Sequence, residues 1–434
     1  MTNVLYANDE QGVYPSSYYE ASAPLLAPFP KLEGDEACDV CVVGAGYTGL
    51  SAALHLAELG FDVIVLDAHR VGWGASGRNG GQLSSGLRLE QTELEKLVGL
   101  DAAKDLWELG AQANQLVRDL CEKYTIDCEL KSGVLHANHK AKFGKDTRHE
   151  IEHLRKNYNF EEIRYLNKQE IRDLVGSDAY YNGSLDMRAG HLHPLKLVLG
   201  LARACVEKGV RIFENSEVRE LTHTTPAKVS TQQGVITAQY VLLGCNGYLQ
   251  NLDKQTSQRV MPINNFIIAT EALSDQQAND LISQDIAVAD SKFVINYFRL
   301  SDDKRMLFGG GENYSYKFPD DIKLFVSKPM LEIFPQLKSV KIDYGWGGTL
   351  GITMSRMPYI DRLSANVFTA SGYSGEGVGM GIFAGSVMAE MINGTATRFD
   401  ILQRVPSKRF PGGMMARKPL LALAMLYYSI RDKL

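Results

Sequence analysis

The chain has 434 residues, a hydrophobic content of 45% and a formal net charge of −5, values typical of a globular protein long enough for two domains. The slightly negative charge argues against a nucleic-acid partner, which needs a concentrated basic surface. The N-terminal residues lack the basic and apolar regions of a secretory signal, and no apolar run reaches the roughly 20 residues that span a bilayer, so we expect a cytoplasmic protein.

The cysteines do not indicate a disulfide framework. There are six, at irregular spacings, which is typical of reduced thiols in the cytoplasm. Cys38 and Cys41 have the spacing of a redox motif, but they fall in a strand pattern, where residues three apart point to opposite faces. We therefore interpret them as two core-strand cysteines. No spacing typical of metal ligands is present, so the sequence predicts no metal site.

The chain begins with an arm and a nucleotide-binding pattern. Residues 1–36 are rich in Tyr, Ser, Ala and Pro and predict an extended arm laid over the surface. An apolar run at 39–43 predicts a buried strand, residues 47–59 have apolar side chains at helical spacing, and 62–66 predict a second buried strand. A strand, turn, helix and strand in this order form a βαβ unit, which predicts a parallel sheet.

The middle of the chain has a different pattern. It contains predicted charged helices at 91–125 and 147–176 around a strand at 133–137, then a helix at 194–208 and strands at 210–213 and 240–243. From 260 to 345, apolar and polar residues alternate. This alternation predicts an antiparallel sheet with one face toward water or a ligand.

Nucleotide-type elements return near the C-terminus, where 367–372 predict a buried strand and 384–392 a helix after a glycine-rich turn. The order predicts an α/β fold, in which a discontinuous Rossmann-like cofactor domain carries an inserted α+β substrate domain with an antiparallel sheet. The boundaries we expect are an N-terminal arm at 1–36, cofactor-domain segments at 37–120, 186–255 and 345–400, substrate-domain segments at 121–185 and 256–344, and a C-terminal tail at 401–434.

The first of three glycine-rich turns follows the first predicted strand. Gly44 permits a tight turn, Gly46 lets a pyrophosphate approach the backbone, and Gly49 allows close packing of helix on strand. The helix N-terminus favours phosphate charge. Asp67 ends the second strand, where an acid binds a ribose diol and repels a 2′-phosphate. The turn predicts dinucleotide binding other than NADP; the alternative is a turn of purely structural purpose.

The second turn, Gly72–Gln82, has five glycines in eleven residues. Its backbone N–H groups are suited to wrap a flat polar ring system or a phosphate, and Arg78 adds a positive charge. A flexible surface loop is the alternative.

The third turn, Gly372–Gly381, lies between a strand and a helix. A reduced flavin carries negative charge that such a helix N-terminus stabilises, whereas a nicotinamide has no evident need for it, so we expect FAD.

The three turns together resemble the D-amino-acid-oxidase-like (DAO) superfamily of FAD oxidoreductases, and the likeness covers nearly the whole chain. Within it, further strings are most similar to the γ-glutamylputrescine oxidases, bacterial flavoenzymes of putrescine degradation. These strings are Ser17–Tyr19, Cys38–Leu50, Gly74–Gln82, Gly190–Pro194, Phe334–Lys338, Lys341–Tyr344, Ser355–Pro358, Phe410–Gly413 and Tyr427–Asp432. The resemblance implies an FAD domain of the glutathione-reductase type.

Carried over by position, the resemblance implies FAD contacts along all three turns: pyrophosphate at the first, isoalloxazine along the second and the flavin's pyrimidine edge at the third. Asp67, where the family more often has Glu, would hold the adenosine ribose, and the backbone of Val218 the adenine. The implied FAD-binding residues are Gly44, Gly46, Tyr47, Thr48, Gly49, Asp67, Ala68, Gly74, Ala75, Ser76, Gly77, Arg78, Asn79, Gly80, Gly81, Gln82, Val218, Gly375, Gly377, Val378 and Gly379.

One residue departs from the family pattern. The family commonly has His or a small residue between the third turn's glycines, whereas this chain has Glu376. A carboxylate beside an anionic reduced flavin is unfavourable, so Glu376 either points outward or meets a cationic substrate. This departure leaves the identity of the amine open.

Four further side chains are candidates for the site. Tyr297 and Arg299 lie on the alternating strand at 293–300; Arg299 could bind a substrate carboxylate, or be a surface sheet arginine. Trp346 either forms a wall for the flavin or packs in the core. His193, like the nearby His191, either stacks near the flavin or is structural. The substrate-binding candidates are thus Tyr297, Arg299 and Glu376, and the catalytic ones Trp346, Glu376 and His193.

The resemblance implies oxidation of a small amine by hydride transfer to flavin N5, giving an imine that is hydrolysed to aldehyde and ammonia, with O2 reduced to H2O2. Two alternatives stay open: a dehydrogenase that passes electrons to a quinone or carrier, and a non-catalytic flavoprotein that serves a maturation partner.

The tail Lys418–Lys433 predicts a short apolar helix with basic flanks. Docking onto the body or a second subunit is favoured over a membrane surface.

Overall fold

The structure, a computed structural model, describes residues 3–313 and 315–411. Within these residues the strands are β1 (Glu36–Val43), β2 (Val63–Leu66), β3 (Gln82–Leu83), β4 (Lys131–Asn138), β5 (Ile163–Asn167), β6 (Asn182–His191), β7 (Arg211–Phe213), β8 (Glu220–Leu221), β9 (Ala227–Ser230), β10 (Val235–Leu243), β11 (Met261–Thr270), β12 (Ala287–Asp290), β13 (Tyr297–Leu300), β14 (Met306–Asn313), β15 (Ile342–Ile352), β16 (Tyr359–Arg362) and β17 (Val367–Ser371). The α-helices of the same range are α1 (Tyr18–Ser22), α2 (Tyr47–Glu58), α3 (Gln91–Val98), α4 (Leu100–Lys123), α5 (Gly144–Tyr158), α6 (Lys168–Leu174), α7 (Pro194–Glu207), α8 (Lys254–Ser257), α9 (Asp275–Leu281), α10 (Ile322–Ile333), α11 (Gly377–Ile392) and α12 (Thr397–Gln403).

The first sheet, which we call sheet A, has the strand order β16-β17-β10-β1-β2-β7, with β9 beside β10 and β8 beside β9. β1 runs parallel to β10 and to β2, and Val43 pairs with both Leu243 and Leu66. Parallel strands end at one edge, so the turns after β1, β2 and β10 meet there. The predicted α/β fold with a Rossmann-like sheet is confirmed.

Two helices pack tightly over sheet A at this edge. α2 begins at Tyr47 directly after the first glycine turn, and α11 packs against both α2 and α4. α11 has apolar side chains on all sides, as expected of a helix that is buried along its whole length. A Cβ at Gly385 would lie 2.4 Å from the carbonyl oxygen of Thr48, so only glycine permits this close contact of α11 with α2.

The second sheet, sheet B, has the order β15-β11-β14-β13-β12-β4-β6-β3, with β5 beside β6. Its pairings are antiparallel except for β4 with β12, which joins the segment before residue 191 to the segment after 260. The antiparallel sheet predicted from the alternation at 260–345 is therefore confirmed. One face of sheet B packs on α10 through an apolar cluster that includes Phe266, Phe298 and Phe308.

Two predicted helices are interrupted. Residues 91–125 form α3 and α4, because Gly99 adopts φ +86 between them. Residues 147–176 contain the strand β5: Asn159 ends α5 in a left-handed conformation, and Asn167 begins α6 with a capping box. Charge periodicity alone did not reveal these local breaks.

The N-terminal arm is anchored more deeply than the predicted surface arm. Tyr19 is fully buried and Leu32 is 1% exposed, and the short helix α1 begins with Ser17 accepting the N–H of Glu20. Asp9 forms an ion pair of 2.7 Å with Arg78 in the second glycine turn. The arm thus contacts the region that the sequence assigns to a cofactor.

The cysteine interpretation agrees with the structure, since Cys38 and Cys41 lie in β1 and all six cysteines are free. No helix among the described residues is long and apolar enough to cross a membrane. The same part of the chain contains no group of three potential metal ligands. The predicted C-terminal helix lies outside the described residues, so its docking role stays a prediction, as do the domain boundaries.

Candidate functional site

One continuous cavity of about 1080 Å³ lies between the two sheets. From sheet A, its lining includes Val43 and Leu66 at the ends of β1 and β2, and Gly244 just after β10. From sheet B it includes Asn265 and Tyr297. Open α/β sheets bind ligands outside the carboxyl ends of their strands, and the cavity occupies this position.

The first glycine turn forms one wall. Gly44 has φ +106, and a Cβ at Gly49 would lie only 1.8 Å from the Gly44 carbonyl oxygen. Gly44, Gly46, Tyr47 and Thr48 line the cavity, whereas Gly49 does not. Gly49 therefore supports the turn by close packing, and its contact with the cofactor stays a prediction.

Asp67 lies at one end of the cavity, beside Ala68 and Val218. Its carboxylate accepts the N–H of Ala45 at 2.7 Å and the N–H of His69 at 2.8 Å. Burial raises the pKa of Asp67 to about 6, and these two hydrogen bonds oppose the shift. Each carboxylate oxygen retains acceptor capacity for a ribose hydroxyl.

The second turn runs along the cavity. Its lining residues are Gly72, Trp73, Gly74, Ala75, Ser76, Arg78, Asn79, Gly80 and Gln82. The Ser76 hydroxyl accepts the Tyr47 N–H at 2.9 Å, which joins this turn to the first. The Asn79 amide donates to the carbonyls of Ala75 and Ser76 and accepts the Gly81 N–H at 2.8 Å, so the loop is folded by its own side chain. A flexible surface loop is thereby excluded.

Two predicted contacts of the second turn face away from the cavity. A Cβ at Gly77 would lie 2.3 Å from the Gly72 carbonyl oxygen, and one at Gly81 would lie 2.0 Å from the Leu192 carbonyl oxygen. Neither residue lines the cavity. Their glycine identity is required by backbone packing, and their contact with the cofactor stays a prediction.

Arg78 is 3% exposed and lines the cavity. Its guanidinium donates to Asp9 at 2.7 Å, to the Gly347 carbonyl at 3.1 Å and to the Trp73 carbonyl at 2.6 Å. The indole of Trp73 also lies 4.2 Å from the guanidinium carbon. Nη2 has no hydrogen-bond partner. A buried cationic donor without a partner is costly, which indicates a ligand acceptor at this position.

The third turn forms the wall at the start of α11. Gly375 has φ +107, and a Cβ there would meet no atom within 4 Å, so it would project into open space. Glu376 lines the cavity, and its Oε2 accepts the hydroxyl of Ser84 at 2.7 Å. α11 begins at Gly377 without a side-chain cap. Val378 lines the cavity, whereas Gly379, also a predicted contact, does not; a Cβ at Gly379 would lie 3.1 Å from the Leu83 side chain.

These features fit FAD. Glycine turns remove side chains where a dinucleotide approaches, and the uncapped starts of α2 and α11 leave backbone N–H groups toward the cavity. Asp67 has acceptor capacity for a ribose hydroxyl, and the unpaired Arg78 nitrogen supplies positive charge. The chain's own donors and acceptors thus match an anionic dinucleotide with a polar ring system.

The cavity continues along one face of sheet B. Every second residue lines it on three strands: Val134, His136 and Asn138 on β4; Ser184 and Asp186 on β6; Ile263, Asn265 and Ile267 on β11. Sequence reasoning named none of these, although their spacing of two was visible. Ser84, two residues after Gln82, was also missed. Tyr297, predicted on β13, lines the cavity and bonds through its hydroxyl to Asn265.

Arg299 does not line the cavity and is 3% exposed. It donates to the carbonyls of Gly80 at 3.0 Å and Leu192 at 2.8 Å, on the far side of the second turn. Its donors are therefore used within the protein and cannot form a bidentate pair with a substrate. The predicted role of Arg299 in binding a carboxylate does not fit this geometry, and neither does the alternative of a surface arginine.

Trp346 and His193 also lie behind the second turn and outside the cavity lining. The indole N–H of Trp346 donates to the Arg78 carbonyl at 3.1 Å. The His193 ring begins α7, with Nδ1 accepting the Lys196 N–H. Burial, then Arg299, lowers the pKa of His193 to about 3. Tyr19 packs against both rings, at 5.1 and 4.9 Å between centroids. We call Tyr19, His193, Arg299 and Trp346 the support layer.

The sequence matches the DAO family of FAD-dependent oxidoreductases over residues 39–391. Because this span is most of the chain and the cavity fits the cofactor, the protein belongs to this family and is an FAD-dependent oxidoreductase. Among its relatives, gamma-glutamylputrescine oxidoreductase from Escherichia coli (strain K12) is 43% identical over 420 residues, which cover 96% of this chain and 98% of that protein.

Solved structures agree with the fold. Glycine oxidase from Geobacillus kaustophilus has a TM-score of 0.72 at 19% sequence identity, covering 86% of this chain and 100% of that one. L-proline dehydrogenase from P. horikoshii has a TM-score of 0.70 at 21% identity, covering 84% and 96%. At these identities the comparison establishes the shared architecture.

Proposed function

We propose that this protein oxidises a small amine related to γ-glutamylputrescine, with FAD as the electron acceptor. The observation that carries the proposal is the continuity of the cavity: the turns that fit FAD open directly onto the side-chain face of sheet B, with Glu376 at the junction. Membership of the DAO family supports an oxidation, and the relative from Escherichia coli, by its name, acts on gamma-glutamylputrescine.

The first and second turns, Asp67 and Arg78 would hold the cofactor. When bound, FAD supplies the oxidising chemistry by accepting a hydride at N5 from the carbon next to the amine nitrogen. The N-terminus of α11 and the Arg78 guanidinium both favour negative charge nearby, which stabilises a reduced cofactor electrostatically. No acid–base triad is needed for this reaction.

Glu376 binds a positively charged nitrogen of the substrate. Its carboxylate lines the cavity and is held at Oε2 by the Ser84 hydroxyl, so it presents a fixed acceptor. A charge-assisted hydrogen bond to an ammonium group is stronger than a neutral one. The nitrogen that loses hydride from its neighbouring carbon must itself be neutral, which favours a substrate with a second, charged nitrogen.

The face of sheet B positions the rest of the substrate. Its polar members, including Asp186, His136 and Asn265, alternate with apolar ones, so the face suits a flexible chain with polar ends. Placing the reacting carbon within about 3–3.5 Å of its acceptor is the main contribution such a face makes to the rate. The products of the proposed reaction would be an aldehyde and ammonia, from hydrolysis of the imine, and H2O2, from reduction of O2.

An anaerobic titration tests the proposal. Purified protein should be yellow, and γ-glutamylputrescine or a related amine should bleach the flavin absorbance without O2. Admitting air should restore the colour and produce peroxide. Bleaching without peroxide formation in air would assign the electrons to a quinone or carrier instead. A yellow protein whose flavin absorbance no amine or amino acid bleaches would contradict the proposal and favour a non-catalytic flavoprotein.

A further inference from the structure

Two cysteines outside the cavity place their sulfurs in contact. Cys121 lies in the last turn of α4, and Cys128 lies in the connection between α4 and β4. Their Sγ atoms are 3.5 Å apart, and both thiols are free. A disulfide has a length of about 2.05 Å, so the two sulfurs need to approach by only about 1.5 Å.

The two thiols differ in ways that suit sequential oxidation. Cys121 is partly exposed, whereas Cys128 is 1% exposed. The hydrogen bond from Cys128 and the guanidinium of Arg118, one turn earlier on α4, lower the pKa of Cys121, while the contact with Cys121 and burial raise that of Cys128. A partly exposed thiol with the lower pKa is the one an oxidant attacks, and its buried neighbour resolves the product.

The backbone links Cys128 to the cavity wall. The carbonyl of Cys128 accepts the N–H of His193 at 2.7 Å. The adjacent Leu192 donates its N–H to the Gly81 carbonyl at 2.8 Å and accepts from Arg299, which also donates to the carbonyl of Gly80. Gly80 lines the cavity. A shift of the Cys128 backbone is therefore transmitted through the support layer to the second turn.

We propose that Cys121 and Cys128 form an oxidation site for hydrogen peroxide, and that its disulfide state alters the flavin environment through the second turn. The Cys121 thiolate attacks one oxygen of the peroxide; the O–O bond breaks, hydroxide leaves and takes up a proton, and the sulfur becomes a sulfenic acid. The Cys128 sulfur then attacks this sulfur, the S–O bond breaks, and water leaves with the Cys128 proton. Two thiols and one peroxide thus give one disulfide and two waters. The site needs no turnover, so it stands independently of the proposed substrate.

The experiment treats the FAD-loaded protein with hydrogen peroxide in the absence of any amine. Denatured samples should lose two of their six reactive thiols, and peptide mass spectrometry should find Cys121 joined to Cys128, with recovery on adding dithiothreitol. Cys121→Ala should give no linked peptide and should not lose two thiols. Cys205→Ala, at a cysteine isolated in α7, is the matched control and should oxidise like the unaltered chain.

Each part of the proposal has its own contrary outcome. If peroxide leaves six thiols in the unaltered chain, or if Cys121→Ala still loses two of its five thiols, the oxidation site is overturned. In Cys128→Ser, oxidation should stop at a Cys121 sulfenic acid, which dimedone traps. If this variant does not fold, the presence or absence of the linked peptide in the unaltered chain tests the oxidation site. The flavin absorbance band should shift on oxidation and return on reduction. An unchanged band in a fully oxidised sample would overturn the link to the second turn.

Discussion

The two sheets contribute to the cavity in different ways. Sheet A contributes strand ends, glycine turns and the starts of α2 and α11, so most of what it offers a ligand is backbone. Sheet B contributes alternate side chains of one face, such as Asp186 and Asn265. A backbone site needs particular glycines in a fixed order, whereas a side-chain face tolerates many combinations. The cofactor half is thus specified by local sequence, and the substrate half by which strands come together.

The largest effect that this comparison predicts is at Gly49. Gly49→Ala would place a Cβ 1.8 Å from the Gly44 carbonyl oxygen, so the first turn cannot keep its shape. We expect a protein purified without flavin absorbance. Gly60→Ala, just after the same helix, is the matched control: φ is +91 but no atom lies within 4 Å of a Cβ there. It should cost roughly 1–2 kcal/mol of stability, because a Cβ is unfavourable in the left-handed region, and should retain FAD. Full FAD binding by Gly49→Ala would contradict the backbone account.

The second prediction concerns the support layer. Arg299→Met removes the donors to the Gly80 and Leu192 carbonyls, and each buried acceptor left without a partner costs about 1–3 kcal/mol. We expect a clearly lower Tm and weaker retention of FAD. KM should change equally for amines with and without a carboxylate, because Arg299 lies outside the cavity lining. A rise in KM confined to carboxylate-bearing amines would return Arg299 to substrate binding.

The third prediction is a pH dependence of FAD binding. A ribose hydroxyl donates to the ionised form of Asp67, so FAD binding favours the deprotonated carboxyl. Because burial raises the pKa of Asp67 to about 6 in the free site, affinity should be constant above pH 7 and should fall through pH 6. At pH 5 we expect Kd to be about tenfold higher, since that pH lies about one unit below the pKa. Flavin fluorescence titrations measure Kd at each pH.

Asp67→Asn is the control for this titration. It lacks the titrating carboxyl and turns one acceptor into a donor that opposes the N–H of Ala45 or His69. FAD should bind more weakly at every pH, with no inflection near pH 6. If the inflection persists in the variant, another group is responsible, and the assignment of Asp67 to the ribose end loses its support.

The smallest expected effect on FAD binding is at Glu376, on the boundary between the two halves. Glu376→Gln removes the charge but keeps the shape and the contact with Ser84, so FAD should be retained. KM for amines with a second charged nitrogen should rise about 10- to 100-fold, from the loss of about 1.5–3 kcal/mol. Glu390→Gln, on the same helix but outside the cavity lining and paired with Arg398, is the matched control. Unchanged KM for charged amines would remove Glu376 from substrate binding.

The sequence by itself determined the cofactor half of this protein. Gly44, Gly46 and Asp67 could be placed because a βαβ unit fixes them relative to each other within a short stretch of chain, and the backbone alone then forms the site. The class of fold followed from the same local order. The alternation at 260–345 also predicted the antiparallel sheet, because the period of two is a local property of strands.

Only the tertiary structure decided which side chains face the substrate. Arg299, Trp346 and His193 were predicted near the ligand, and they do lie beside the second turn, but on its far side. Their distance along the chain from that turn gave no information about which side they occupy. The face that lines the cavity is set by the pairing of β4 with β12 and of β11 with β14, contacts between distant segments that local periodicity does not encode.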